Sequence, residues 1–469
     1  MLNYLPKYFS SKAIYLYIGV LLVCNLYFYS HPLALMWWAF GLVEVIGFFY
    51  FSNKLTRQWS TITPKTFAKR LFITALGMRL VWVVFSYFFY TSMTGQPFEF
   101  DTADAMAYHE SAGWIASLIK SGSAQPFIDS LAGRYSDMGY SYYLGWQYWI
   151  TGNSIMIARI LKALYSAFTC LLIYRLAGRS FGEDVGRMAA IFCMLMPNLI
   201  LYTGIHTKEV EMVMLTVWFV ERADYLLRGK KYNFINIAAP LVLAGSLFFF
   251  RTVLGATALF ALFSALIFSS TKVLGMGKRT LLIVWVVVAG GYFVGGKIAT
   301  EVEEVWTAKS ANQETSMKWR AEQKNGNKFA KYAGGVVFAP MIFVIPFPTI
   351  IETPNQQNQK IINGGNYVKN IMAFFVIFAL YWIIKNNQWR DYLLIGSFTI
   401  GYLLVIAMSA FAQSERFHQP ALPFLMILAA FGISQVTNKQ KKYFTWYMAL
   451  MFVAIVGWSW FKLAGRGLA

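Results

Sequence analysis

Charge is what this chain lacks most. Of its 469 residues only 13% are Asp, Glu, Lys or Arg, against 58% hydrophobic and 18% aromatic; a soluble protein is about 25% charged. That shortage excludes an ordinary water-soluble fold and a disordered chain alike. Strand-type alternation is absent, which argues against a β-barrel. No small-residue cleavage site follows the first apolar run, so no cleavable signal peptide is expected. The three cysteines, Cys24, Cys170 and Cys193, all lie in apolar runs. They offer neither a disulfide framework nor a zinc spacing. No tandem repeat of fixed period is visible.

What is present is a succession of apolar runs of about 20 residues, each long enough to cross a bilayer as a helix. The reading is all-α: a polytopic transmembrane helical bundle of about 12–14 spans. Its net charge is +20, from 41 basic and 21 acidic residues. In a soluble protein this would suggest nucleic acid. Here most Lys and Arg fall in short loops between apolar runs, where they set topology, and no nucleic-acid partner is implied.

Placing basic loops inside gives spans near 13–30, 33–52, 71–92, 156–177, 188–203, 210–227, 234–250, 253–270, 280–296, 368–385, 391–411, 420–436 and 443–461. Residues 1–92 are N-terminal spans. Residues 93–155 form an external loop with two amphipathic surface helices, the second at 139–151. Residues 156–296 form the central spans, 297–367 a long external loop, and 368–469 the C-terminal spans. Pro340, Pro346 and Pro348 make a regular spanning helix over 338–351 improbable, so that segment reads as re-entrant. The topology predicts a multi-pass protein of a bacterial cytoplasmic membrane, with its polar loops on the periplasmic face.

The first external loop contains Phe100-Asp101-Thr102-Ala103-Asp104-Ala105-Met106-Ala107-Tyr108-His109-Glu110. At 100° per residue a helix here sets Asp101, Asp104, Tyr108 and Ser111 on one side and Ala103, Ala107, Trp114 and Leu118 opposite. Asp101 three residues before Asp104 also reads as a helix N-cap with an acidic third residue. That reading accounts for neither His109 nor Glu110.

Ionisable residues outside the basic turns are Asp101, Asp104, His109, Glu110, Arg134, Asp137, His206, Lys208, Glu209, Arg251, Glu415, Arg416 and His418. The predicted topology gathers all of them at the outer face, including three of the four histidines. Charged groups at span ends normally line an aqueous cavity or a site. Singly, Lys208 or Arg251 reads equally well as an interfacial anchor. The chemistry divides in two. Asp101 and Asp104 could take a proton from a hydroxyl nucleophile or hold a divalent metal. Arg134, Lys208, Arg251 and Arg416, with His206 or His418, could bind a phosphate and neutralise it as it leaves. Tyr108, His109, Glu110, Asp137, Glu209 and Glu415 complete the candidate substrate-binding set.

The pattern Asp101-x-x-Asp104-x-x-x-Tyr108-His109-x-x-Ala112 resembles the first-loop motif of GT-C glycosyltransferases, in the style of bacterial family 39. That family includes relatives of protein O-mannosyltransferases and lipid A aminoarabinose transferases. Ala158-Arg159, Tyr174-Arg175-Leu176-Ala177-Gly178-Arg179, Met196-Pro197-Asn198 and Lys208-Glu209 follow in a similar order. The resemblance covers residues 100–228. It implies a polyprenyl-phosphate-linked sugar as donor, a glycan, lipid or protein acceptor, an extracytoplasmic site, and a first-loop acid as catalytic base. Asp101 is the first candidate for that role and Asp104 the second. This chain departs from the family in having two spans before the one feeding the loop, and no large soluble C-terminal domain. Two other readings compete: a polymerase or ligase of polyprenyl-diphosphate-linked glycans, and a transporter. Transporters cluster charge near the midplane of two related halves, and no such halves are visible.

Overall fold

The computed structural model describes residues 2–100, 102–123, 125–131, 138–229, 233–280, 282–284, 315, 317–319, 321–322, 327–329, 335–353, 357–409 and 411–468. Among these the chain is all-helical. The helices are α1 (Lys7–Tyr27), α2 (Leu35–Gln58), α3 (Pro64–Thr94), α4 (Ala103–Ser121), α5 (Gln125–Leu131), α6 (Gly139–Thr151), α7 (Ile155–Phe181) and α8 (Glu183–Leu195). They continue with α9 (Pro197–Leu201), α10 (Glu209–Arg228), α11 (Phe234–Phe250), α12 (Thr252–Phe268), α13 (Asn363–Lys385), α14 (Leu393–Ala407), α15 (Leu422–Ser434) and α16 (Asn438–Ala464).

Among the described residues seven helical segments are long and apolar enough to cross a membrane, and α8 with α9 makes an eighth if that bent pair is one span. The chain is therefore a multi-pass helical membrane protein. The apolar helices α11, α12 and α14 have 17, 17 and 15 residues. At 1.5 Å per residue these reach about 25 Å at most, short of a hydrocarbon core of about 30 Å. Helix α10 has the length but carries Glu209, Glu211, Glu221, Arg222, Asp224 and Arg228. Among the described residues the count reaches twelve, the lower end of the expected 12–14, with the bent pair as one span and these four helices also crossing. The span expected at 280–296 lies almost wholly outside the described residues.

The core is built around a broken span. Helices α8 and α9 meet at Met196-Pro197 with a bend of 56°. Pro197 has no N–H to give Cys193, four residues back. Within a bilayer that carbonyl must find another donor. The donor is Arg79, fully buried in α3. Its guanidinium donates to the Cys193 and Met194 carbonyls at 3.3 Å each, to Ser166 Oγ at 2.6 Å and to Ala75 O at 3.2 Å. An arginine deep in a span thus fills carbonyls that the proline released.

On the far side of the break, Asn198 meets the first turn of α13. Residues 363–366, which read in the sequence as part of a polar loop, are buried helix. Their polar groups are satisfied internally: Asn363 donates to Thr349 O at 2.7 Å, Asn366 accepts from Asn198 at 3.2 Å, and the Gly365 N–H donates to Glu44 at 2.8 Å. A Cβ on Gly365 would collide with the Asn198 side chain, so the helix crossing requires glycine there. The proline-rich segment 338–351 is a short helical turn, Gly335–Phe338, then a 3₁₀ turn and extended chain.

Helix α4 packs on α6 through Ala105, Ala112, Ile115 and Ala116. Trp114 and the α6 residues Tyr142, Trp146 and Trp149 are exposed, as suits helices at an interface. The N-cap of α4 is Thr102, without a side-chain cap bond. At the opposite end of the bundle Arg179 pairs with Glu221 at 2.6 Å and Asp224 at 3.2 Å, and Arg187 fastens the carbonyls of Trp59, Ser60 and Ile62.

Arg79→Met should leave two buried carbonyls without donors. At about 1–3 kcal/mol for each orphaned group, the detergent-solubilised variant should lose about 3 kcal/mol. A thermal melt that overlays the wild type would show that Arg79 is dispensable to the break.

Candidate functional site

The site is delivered by two loops, one before α4 and one before α10. Two buried cations on one face of α7 hold both. Arg159 donates to the Pro97 carbonyl just ahead of the acidic motif. Lys162, one turn on, donates to Ile205 O at 3.1 Å and to Thr207 O, and its charge is met by Glu211 at 3.5 Å. Side chains three apart on a helix share a face, so one helix sets the spacing of both loops.

What these loops bring together is a charged cluster. Arg416 is the hinge: its Nε donates to Glu209 and its Nη1 to Asp104. Asp104 and Arg416 are 312 residues apart in sequence. Arg251 lies against the ring of Phe417, 4.3 Å from its centre, with its Nη1 buried and unpartnered among the described residues. Lys208 donates to Phe250 O at 3.0 Å and sits 6.0 Å from the centre of the Tyr108 ring. Of the residues expected at the site, Asp104, Tyr108, Lys208, Glu209, Arg251 and Arg416 therefore form one group.

The two carboxylates of Arg416 differ. The Glu209 side chain is fully buried, and that of Asp104 is 59% exposed. Leaving a buried carboxylate without its cation costs about 3–5 kcal/mol; an exposed pair is worth only about 0.2–1 kcal/mol. Glu209 is thus the fixed anchor of the guanidinium and Asp104 the exchangeable partner.

Other expected residues take different places. Glu415 is inside the bundle, accepting from Asn198 at 2.7 Å, Tyr202 at 2.8 Å and Gln419. His418 is buried against Lys369 at 2.9 Å and Ala412 O at 2.8 Å. Both lie behind Arg416, not beside its open face. Glu110 is exposed. Asp101, Arg134 and Asp137 lie outside the described residues. So does half of the expected Asp101/Asp104 metal pair; among the described residues no group of three His, Cys, Asp or Glu could hold a metal ion.

His109 and His206 join through a residue the sequence did not single out. Tyr148 Oη lies 2.8 Å from His109 Nδ1 and 3.2 Å from His206 Nε2. The Glu99 carboxylate accepts from the His206 backbone N–H at 3.5 Å. Burial, reinforced by Lys162 and Arg159, holds His206 far below the ordinary histidine range, and burial lowers His109 as well. Burial raises Glu99. Both imidazoles are therefore neutral at pH 7, and the single tyrosine proton can serve only one of them.

An apolar groove of about 570 Å³ runs between α2, α3 and the broken span, lined by Phe40, Phe48, Phe51, Trp82, Phe85 and Pro197 among others. Its rim continues through Phe89 to Phe100, with ring centres 5.4 Å from Phe40 to Phe89 and 6.2 Å onward. Phe100 opens the acidic motif. Glu44 lines the groove, with Oε2 on the Gly365 N–H and Oε1 unpartnered among the described residues.

Selecting charges in the external loops passed over Glu44, Arg79, Glu99, Lys162, Glu211 and Lys369, and Arg159 entered only as part of a motif. Their signal was an ionisable residue in or beside an apolar run, which is costly enough to mark a structural or functional role. No protein-family model matches the chain, and no curated protein or solved structure matches it either.

The neutral histidines give a pH dependence. The unfolded chain binds a proton at histidine below the ordinary value of 6.5, whereas the folded chain does not until a lower pH. Stability must then fall as pH drops through and below 6.5. Melts of the wild type should shift down between pH 7.5 and 5.5, and His206→Gln should shift less. An equal shift in both would remove His206 from the account.

Proposed function

We propose that this protein is a membrane glycosyltransferase. It transfers a sugar from a polyprenyl-phosphate-linked donor to an acceptor hydroxyl at the extracytoplasmic face. The observation that carries this reading is the contact of Asp104, from the first-loop helix, with Arg416, from the far end of the chain, beside Arg251 and Lys208. An acid able to take a proton and cations able to hold a phosphate share one cluster. The groove that ends at Phe100 supplies an apolar bed for a prenyl chain whose head group reaches the acidic motif.

In the reaction a first-loop carboxylate, Asp101 first and Asp104 second, accepts the proton of the acceptor hydroxyl. The hydroxyl oxygen forms its bond to the anomeric carbon. The bond from that carbon to the phosphate oxygen breaks, and the electron pair leaves with the polyprenyl phosphate. Arg251 and Arg416 meet the charge that develops there. Helix α7 contributes by fixing the loops, through Arg159 and Lys162. The donor sugar and the acceptor class are open in this scheme: a glycan, a lipid or a protein hydroxyl each fits it.

A second reading, polymerisation or ligation of diphosphate-linked glycans, draws on the same observation, because Arg251 and Arg416 also suit a diphosphate. Two variants separate them. For glycosyl transfer with a first-loop base, Asp101→Asn in membranes should lose about 10²–10⁴-fold of sugar transfer at unchanged protein level. Full activity in that variant would remove the base assignment. Loss on Arg416→Ala with an unaffected Asp101→Asn would favour the polymerase reading.

A further inference from the structure

Arg416 has two carboxylates but is committed to only one of them. Glu209, fully buried, holds Nε. Asp104 holds Nη1 from a surface helix, with its side chain 59% exposed. The Nη1 edge is the side of the guanidinium that an incoming anion would use, since Nε is blocked from within. Asp104 therefore competes with an incoming phosphate for one arm of the guanidinium fork. Phosphate oxygens match the guanidinium fork at least as well as a carboxylate does.

Resting on the glycosyltransferase reading, we propose that Asp104 is a resident counter-ion which the phosphate of the lipid-linked donor displaces from Arg416. Binding of the phosphate and release of the carboxylate are then one event. Without donor, Asp104 occupies Nη1 of the arginine. With donor, Glu209 keeps the guanidinium in place while its open edge turns to phosphate. Arg251, stacked on Phe417 with a buried unpartnered Nη1, provides a second donor group next to Arg416. The freed Asp104 stays on α4, where the acceptor hydroxyl is expected.

A double-mutant cycle on binding tests the exchange, using the full chain in nanodiscs and a polyprenyl phosphate as the probe. The corresponding uncharged polyprenol is the control. Asp104→Asn should tighten phosphate binding about two- to fivefold, the scale of an exposed ion pair. In an Arg416→Gln background the same substitution should give no gain, because nothing remains to be released. If Arg416→Gln does not fold, Arg416→Lys replaces it, with a gain smaller than in the wild type. An equal gain in both backgrounds would reduce the effect to simple charge repulsion and overturn the exchange, leaving the phosphate site standing. Equal binding of phosphate and polyprenol, unaffected by Arg416, would overturn the exchange and the glycosyltransferase reading together.

Discussion

The break between α8 and α9 is the constraint on which the rest depends. A span that bends inside a bilayer must hand its freed carbonyls to other donors, and here Pro197 makes that need unavoidable. Arg79 answers it from one side, with a full charge buried at the helix junction. On the other side the bend turns Asn198 towards Glu415 and Asn366. A straight helix would have kept both faces apolar. The bend instead nucleates a layer of polar groups, running from Glu44 through the first turn of α13 to Tyr202 and Gln419. The charged cluster of Arg416 is built on its outer edge.

That layering gives the cluster its asymmetry. Behind Arg416 two carboxylates are buried and held: Glu209 on the guanidinium, and Glu415 on three donors. In front of it stands Asp104, an exposed acid on helix α4. Such a site is rigid towards the protein and adaptable towards the outside. Preorganised cations at a fixed place are what a departing phosphate requires, and a mobile acid is what a base shared with an incoming acceptor requires. The groove between α2, α3 and the broken span adds a third element, an apolar surface whose aromatic rim continues through Phe89 to Phe100.

Much of this was legible in the sequence. Apolar runs located most of the helices within a few residues, and the aromatic stretch 139–151 was recognisable as a separate short helix. The expectation that Asp104 and Arg416 share one face followed from positive loops and span parity, not from any local motif. Three things were not legible. Residues 363–366 look like a loop because they are polar, and only their partners, Thr349, Glu44 and Asn198, make them a buried helical turn. Glu415 and His418 are chemically suitable for a site, yet their side chains turn inwards to Asn198 and Lys369. Tyr148 carries no signal of its own, and becomes a link only when α6 lies between His109 and His206. In each case the deciding interaction joins residues far apart in the chain, which pattern and spacing cannot supply.

The central claim is that a lipid-linked phosphate seats on Arg416 and Arg251 with its chain in the groove of α2, α3 and the broken span. Photo-crosslinking with a diazirine-bearing polyprenyl phosphate, followed by peptide mapping, tests it most directly. The account predicts labels on α2 and α3 residues such as Phe40 and Phe85, and on the 415–417 segment, that unlabelled polyprenyl phosphate competes away. Labels scattered over the lipid-facing perimeter and indifferent to competitor would contradict it.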